Sequence, residues 1–343
     1  VKVSDFDYEL PEELIAQQPL ARRDESRMLV VDRKSGEIHH TRFSNFPDHF
    51  APGDVLVFNE TRVIPARAWG HKGGKRIEFL FLHQHSEESW EVLCRPAKHV
   101  RVGDSIVFSP GLKGEVTEVG PEGSRIIHFK GTDVLAELKK TGFAPLPPYI
   151  KRKKEHAYLK AADLERYQTV FARQEGSIAA PTAGLHFTPE LLETLGHCGI
   201  RIAPICLDVC LATFQPVRAD RVEDHAMLEE RYSISQESAG VINTALGEGR
   251  PVTAVGTTSV RTLESAASEG RVRPGQDSTR LFIYPGYRFR VVGRLLTNFH
   301  LPRSTLLMLT AAFGGYELIM RAYQEAVRER YRFFSYGDCM LIK

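Results

Sequence analysis

Four polar loops carry the side chains best suited to chemistry. The first is Gly176-Ser-Ile-Ala-Ala-Pro-Thr-Ala-Gly-Leu-His-Phe-Thr188. Its Pro181, Thr182, Ala183 and Gly184 allow a ligand close to the backbone, and His186 stands just before a helix start at Thr188. A tight turn with a capping threonine is the structural alternative. The second, Val255-Gly-Thr-Thr-Ser-Val-Arg261, reads as strand, hydroxyl-rich turn and helix. Thr257, Thr258 and Ser259 there make a donor cradle for a carboxylate or a ribose, or serve plainly as helix caps. In Thr297-Asn-Phe-His-Leu-Pro-Arg-Ser-Thr305, Asn298, His300 and Ser304 crowd polar groups between apolar segments. The fourth, Phe334-Ser-Tyr-Gly-Asp338, precedes an apolar end at Met340–Ile342, and an apolar terminus suggests a tail tucked into the fold.

Other chemistries are poorly supported. The chain has no Gly-x-Gly-x-x-Gly after a strand, no P-loop and no His-Glu-x-x-His. Cys206 and Cys210 have the first spacing of a cluster motif, but no third cysteine follows closely, so both read as small apolar residues. No metal is expected. Basic clusters occur at Lys151-Arg152-Lys153-Lys154, at Arg22-Arg23 and at Arg328, Arg330 and Arg332. Phosphate binding needs only such local patches, not a basic chain.

The elements that must position these loops follow from composition and pattern. The 343 residues are 42% hydrophobic and 26% charged, ordinary for a soluble globular protein of about two domains. Charge is nearly balanced, 45 Lys and Arg against 43 Asp and Glu, which removes the direct argument for nucleic acid. No apolar run approaches the ~18 residues of a membrane span, and Val1–Leu10 does not read as a signal peptide. Five cysteines without an export signal read as reduced thiols of a cytoplasmic protein. Met28–Asp32 and Asp54–Asn59 read as strands, and Leu10–Ala16 as a helix. Short β-like runs follow at Arg76–Leu82, Trp90–Arg95, Ser105–Phe108, Gly114–Val119 and Arg125–Phe129, separated by Gly and Pro turns. That texture predicts a small barrel or sandwich. A helix at Asp133–Lys140 and the segment Pro145–Pro148 close it. Helices and strands then alternate, with helices at Pro189–Leu195, Glu237–Leu246, Ser304–Ala312 and Tyr316–Tyr331. Strands are expected at Arg201–Val209, Pro251–Val255, Leu281–Tyr284 and Arg288–Val292. The expected fold is an α/β domain, residues 1–63 and 149–343, interrupted by a small antiparallel β-barrel domain at 64–148.

Taken together, the motifs resemble one family, the S-adenosylmethionine:tRNA ribosyltransferase-isomerases of queuosine biosynthesis. The resemblance runs over nearly the whole chain. It is carried by Ser4–Gln17, Arg23–Arg27, Asn59-Glu-Thr-Arg-Val-Ile-Pro-Ala-Arg67, Ala180–Thr188, Gly256–Glu264, Phe282–Gly286, Thr297–Met308 and Tyr336–Asp338. It implies an α/β plus β-barrel fold. It also implies transfer and isomerisation of the ribosyl part of S-adenosylmethionine onto 7-aminomethyl-7-deazaguanine in a tRNA anticodon. Adenine and methionine leave, and epoxyqueuosine forms. S-adenosylmethionine is then a substrate, with no permanently bound cofactor and no metal.

Such a reaction needs a base for a carbon acidified by the sulfonium and an acid for departing adenine, and groups titrating near neutrality serve both. The implied catalytic candidates are His186 and His300, with Asp208 and Glu230 as carboxylates. Substrate contacts are expected from the first loop, from Thr213, Phe214, His225, Thr257, Thr258, Ser259, Asn298, Ser304, Tyr336 and Asp338, and from Arg261 toward the methionine carboxylate. The chain departs from the family pattern where Asp208, Cys210 and Ala212 replace a His and two Gly, and where Leu228 replaces a second His. Those changes motivate one alternative, a tRNA-binding homologue without catalysis; the other is a different S-adenosylmethionine-dependent RNA-modifying enzyme, against which stands the absence of a Gly-rich loop after a first strand. The barrel and Lys151–Lys154 are expected to flank the anticodon stem of a tRNA bound by a monomer.

Overall fold

The computed structural model describes residues 1–120, 123–152, 159–209, 217 and 219–343. The chain opens with β1 (Arg27–Val31), β2 (Ile38–Arg42), β3 (Val55–Asn59) and the short β4 (Thr61–Val63). The barrel strands are β5 (Arg67–Lys72), β6 (Lys75–Ser86), β7 (Ser89–Arg95), β8 (Ser105–Ser109), β9 (Leu112–Val119) and β10 (Arg125–His128). Next come α1 (Val134–Thr141), α2 (Lys160–Arg166), β11 (Gln174–Ser177), α3 (Pro189–His197), β12 (Arg201–Leu207) and β13 (Glu230–Ile234). They are followed by α4 (Gln236–Gly247), β14 (Val252–Val255), α5 (Thr257–Ala266), β15 (Ala267–Ser268), β16 (Arg271–Val272) and β17 (Gly275–Thr279). The chain ends with β18 (Val292–Asn298), α6 (Thr305–Gly314), α7 (Tyr316–Arg328) and β19 (Cys339–Ile342).

Among the described residues, nine strands form one sheet in the order β17-β13-β12-β3-β14-β18-β19-β1-β2. Its centre, β12-β3-β14-β18, is parallel. Every residue of β3, β14 and β19 is buried, as expected of strands covered on both faces. Side chains alternate between two cores. Val55 and Val57 join the core formed with α4 to α7, whereas Leu56 and Phe58 join Phe43, Phe46, Phe187 and the α3 leucines. Ile319, Ala322, Tyr323 and Ala326 put one stripe of α7 against that first core. Thr188 caps α3 by accepting from Leu191 N at 3.2 Å, with Pro189 in the first turn.

The antiparallel strands β10-β7-β6-β5-β8-β9 close into a barrel. Closure removes the edges that a sheet of short strands would otherwise expose. The apolar C-terminus is more than tucked in. β19 lies between β18 and β1, antiparallel to the first and parallel to the second.

Three expectations give way to tertiary hydrogen bonding. The Leu10–Ala16 helix is only a single 3-10 turn at Glu12–Leu14, because Leu14 O and Ala16 N bond Phe333 instead of continuing a helix. Leu281–Tyr284 is irregular, and only Val292 of Arg288–Val292 enters a strand. The N–H groups of Arg290, Val291 and Val292 bond the Glu264 carboxylate rather than a ladder. The polar β17, by contrast, is a strand because it pairs with β13 at the sheet edge.

Candidate active site

The parallel strands end together, and the loops leaving β14 and β18 bound a cleft. The carboxyl ends of parallel strands are where open α/β sheets bind ligands. Pro181, Thr182 and Ala183 form one wall, Gly256, Thr257 and Thr258 the second, and Thr297 to Leu301 with Ser304 the third. Tyr149, Val209, Phe334 and Ser335 complete it. Three of the polar loops and the start of the fourth, far apart in sequence, therefore meet in one place.

Local geometry explains their composition. Gly256 turns β14 into α5 at φ 87°, a left-handed conformation that a Cβ makes costly. The first N–H groups of α5 have no carbonyl partner within the helix and point their positive end toward the cleft wall. Thr258 Oγ1 is buried there without a partner. Ser304 caps α6, accepting from Leu307 N at 3.2 Å and donating to Leu301 O at 2.7 Å. Phe334 holds φ 70°, unusual for a residue with a bulky side chain, and packs on Tyr149 at 4.7 Å between ring centres.

The two histidines occupy different positions. His186 uses both ring nitrogens within the protein. Ser26 Oγ donates to Arg23 O (2.9 Å) and so accepts from His186 Nδ1 (2.9 Å), which assigns the proton to Nδ1. His186 Nε2 then accepts from Asn298 Nδ2 at 3.1 Å. The same amide nitrogen donates to Phe334 O (3.2 Å) and Asp338 O (3.3 Å), leaving Asn298 Oδ1 buried and unpartnered. His300 lines the cleft itself, its Nε2 at 2.8 Å from Thr297 Oγ1. No protein group among the described residues bonds its Nδ1.

Burial pushes both histidines down to about 3, with the Arg23 and Arg332 charges adding to the shift at His186. Both are neutral at physiological pH. A histidine held below its unfolded value of ~6.5 binds its proton more readily in the unfolded chain, so its stabilisation is lost as pH falls from about 6.5 toward about 3. At pH 5 the loss is about 2 kcal/mol per histidine, at ~1.36 kcal/mol per unit. In urea unfolding at pH 7 and 5, His300→Gln should shrink the pH-dependent loss by about that amount. Equal losses in variant and parent would contradict a neutral, buried His300.

The other expected site residues are dispersed. Gly184 packs beneath the wall, where a Cβ would lie 2.6 Å from the Phe171 ring, and Ser259 is spent on Val255 O at 2.8 Å. Glu230 and Arg261 form a buried ion pair, with Arg261 Nε also donating to Leu281 O at 3.0 Å. Neither lines the cleft. His225 packs edge-on against Phe282. Asp338 accepts from Arg27 N (2.9 Å) and Arg332 N (2.8 Å), fixing the fourth loop to β1. Tyr336 lines a second, smaller cleft with His186. Asp208 faces the groove between barrel and sheet edge, beside His83, Glu175 and Arg231, and burial raises its carboxyl. The exposed Lys151 pairs with Glu12, and Arg152 holds Asp163 through Nε (2.9 Å) and Nη2 (2.8 Å). Lys153, Lys154, Cys210, Ala212, Thr213 and Phe214 lie outside the described residues.

Sequence reasoning missed Tyr149 and Glu264 as individual residues. Tyr149 directly follows the Pro-rich segment, which reads only as a boundary. Glu264 lies within a recognised block, but a buried carboxylate that collects backbone N–H groups leaves no periodic trace. Among the described residues, no group of three or more His, Cys, Asp or Glu could hold a metal, and no helix is long and apolar enough to cross a membrane.

Comparison with known proteins places the whole chain in a family. The model of the family described as queuosine biosynthesis protein matches residues 3–342. The S-adenosylmethionine:tRNA ribosyltransferase-isomerase of Carboxydothermus hydrogenoformans is 52% identical over 348 residues, covering all of both chains. That of Moorella thermoacetica is 51% identical, again over the full length of both. A crystal structure of the S-adenosylmethionine tRNA ribosyltransferase from Thermotoga maritima is 37% identical, covers 99% of this chain and 100% of its own, and superposes with a TM-score of 0.56. These matches run from one end of the chain to the other and lead to one conclusion: the chain belongs to the queuosine biosynthesis family of S-adenosylmethionine:tRNA ribosyltransferase-isomerases.

Proposed function

We propose that the cleft at the ends of β14 and β18 binds S-adenosylmethionine and moves its ribosyl group onto tRNA. The acceptor is 7-aminomethyl-7-deazaguanine at the anticodon, and the products are epoxyqueuosine, adenine and methionine. One observation supports this reading above others. The loops Ala180–Thr188, Gly256–Arg261 and Thr297–Thr305, with Phe334 and Ser335, converge on a single cleft whose polar groups are only partly satisfied by the protein.

The roles follow from geometry. His300 is the proposed acid–base group, because it reaches the cleft as a neutral ring with Nδ1 open to a substrate proton. Its low affinity for protons rises when a substrate anion lies beside it. Asn298 Oδ1, held by the three bonds of its amide nitrogen, is a fixed acceptor for a substrate N–H or O–H. His186 acts through Asn298 as a positioning residue. The first turn of α5, with Thr257 and Thr258, receives an anionic or hydroxyl group. Asp208 lies on the barrel side, toward the tRNA. In this reading residues 1–63 and 149–343 form the catalytic unit, the 64–148 barrel helps to seat tRNA, and the protein works as a cytoplasmic monomer.

The test incubates the protein with S-adenosylmethionine and tRNA bearing the aminomethyl base. Adenine release that requires this tRNA supports the reading. Appearance of S-adenosylhomocysteine instead would mark a methyl transferase, and tRNA binding without adenine would mark a binder.

A further inference from the structure

Arg23 and Arg332, from two of the basic clusters, line no part of the reaction cleft, yet both charges act on His186 in a second cleft. The second cleft, a narrow one, is lined by Pro19, Leu20, Arg23, Arg166, His186 and Tyr336 among others. It shares Ser335 with the reaction cleft.

Arg23 and Arg166 line this cleft and Arg332 lies near its His186; all three are half-buried and lack acid partners. Arg23 donates to Gln168 O (2.7 Å) and Glu165 O (3.4 Å), and Arg166 to Leu20 O (2.6 Å). Arg332 reaches Gln18 O. Each of these bonds goes to a neutral carbonyl. Among the described residues, none of the three guanidinium groups pairs with a carboxylate. The acids nearby are otherwise committed or outside. Asp163 is held bidentately by Arg152, Asp338 by two backbone N–H groups, and Glu165 is exposed. Three donors are buried without any partner: Arg166 Nε, Arg332 Nη1 and the hydroxyl of Tyr336, whose side chain is 4% exposed. Burial and the neighbouring Arg166 charge both disfavour the charged form of Arg23. Like charges held together, partly desolvated, with donors unfilled, are costly unless an anion completes the set. Guanidinium forks with a hydroxyl donor match the oxygens of a phosphate.

We propose that this second cleft binds a phosphodiester of the tRNA, next to the nucleotide that enters the reaction cleft. The inference rests on the tRNA substrate proposed above. A free phosphate has the same chemistry, so the experiment separates the two sources.

The full-length protein is titrated with the anticodon stem-loop RNA at several salt concentrations, and separately with inorganic phosphate followed by phosphorus NMR. In Arg23→Gln/Arg166→Gln, RNA affinity should fall at least several-fold. The slope of log K against log salt should shrink by about 0.7–0.9 for each phosphate that the protein no longer neutralises. S-adenosylmethionine affinity should stay unchanged. Tyr336→Phe removes only a hydroxyl and guards against misfolding of the double variant; it should weaken RNA binding with the slope retained. RNA affinity and slope equal to the parent in both variants would overturn the proposal. Phosphate binding that is lost in the double variant while RNA binding stays intact would assign the cleft to free phosphate and overturn the RNA contact. Adenine release by the unmodified protein is measured alongside. Its absence would defeat the proposed reaction, whereas its presence with unaltered RNA binding by the variants would defeat only the phosphate site.

Discussion

His300→Ala is expected to lower kcat for tRNA-dependent adenine release by ~10²-fold or more, the usual scale for a lost acid–base group. The expectation depends on where the ring sits. His300 is the histidine that opens into the reaction cleft, and the proton shuttling that the reaction requires has no other imidazole there among the described residues. The substitution should leave the fold in place. The backbone of His300 is held independently of its ring, its N–H donating to Tyr323 Oη at 3.0 Å and its carbonyl accepting from the Tyr8 hydroxyl. A structural role would change melting and S-adenosylmethionine affinity together with turnover. A catalytic role lowers kcat with affinity largely kept. Turnover within a few-fold of the parent would remove His300 from the chemistry. Asn298 and the first turn of α5 would then have to carry it by positioning alone.

Glu264→Ala should destabilise the protein by about 3–5 kcal/mol, the range for removing one partner of a buried charged network. The fully buried carboxylate accepts from the N–H groups of Arg290 (2.9 Å), Val291 (3.0 Å) and Val292 (3.0 Å) and from the Tyr287 hydroxyl (3.2 Å). Its loss leaves backbone donors without acceptors at the entrance to β18, and each such orphan costs about 1–3 kcal/mol. Urea unfolding reads the change directly. A loss below about 1 kcal/mol would mean that the 280–292 segment does not depend on this anchor. Because α5 begins at the reaction cleft and β18 ends there, loosening the segment should also raise KM for S-adenosylmethionine.

Much of the architecture was legible because it depends on local chemistry. The all-apolar runs of β1 and β3 and the capped start of α3 at Thr188 identify their own structure. The barrel was visible through evenly spaced turns, although the polar β5 was not, since His71 and Lys72 belong to a strand through pairing with β6 and, at His71, with β8. Leu10–Ala16 and Arg288–Val292 misled for one reason. Their backbone groups bond partners remote in sequence, Phe333 and Glu264, and no window of sequence contains such a competitor. The site divides in the same way. The polar loops that meet in the cleft were recognisable as candidates, but the difference between His186 and His300 was not. It depends on Ser26 and Asn298, which saturate one ring and not the other. The pairing of Arg261 with Glu230 was likewise invisible, and it commits to each other two side chains that residue type alone would send to a substrate.

The most direct test of the central claim follows the carbon atoms. S-adenosylmethionine labelled in its ribose carbons is incubated with the protein and tRNA carrying the aminomethyl base, and the nucleosides of the digested tRNA are weighed. Labelled sugar carbon is expected in the modified nucleoside, with adenine and methionine released in equal amounts. Label absent from the tRNA, with S-adenosylhomocysteine as the product, would contradict ribosyl transfer.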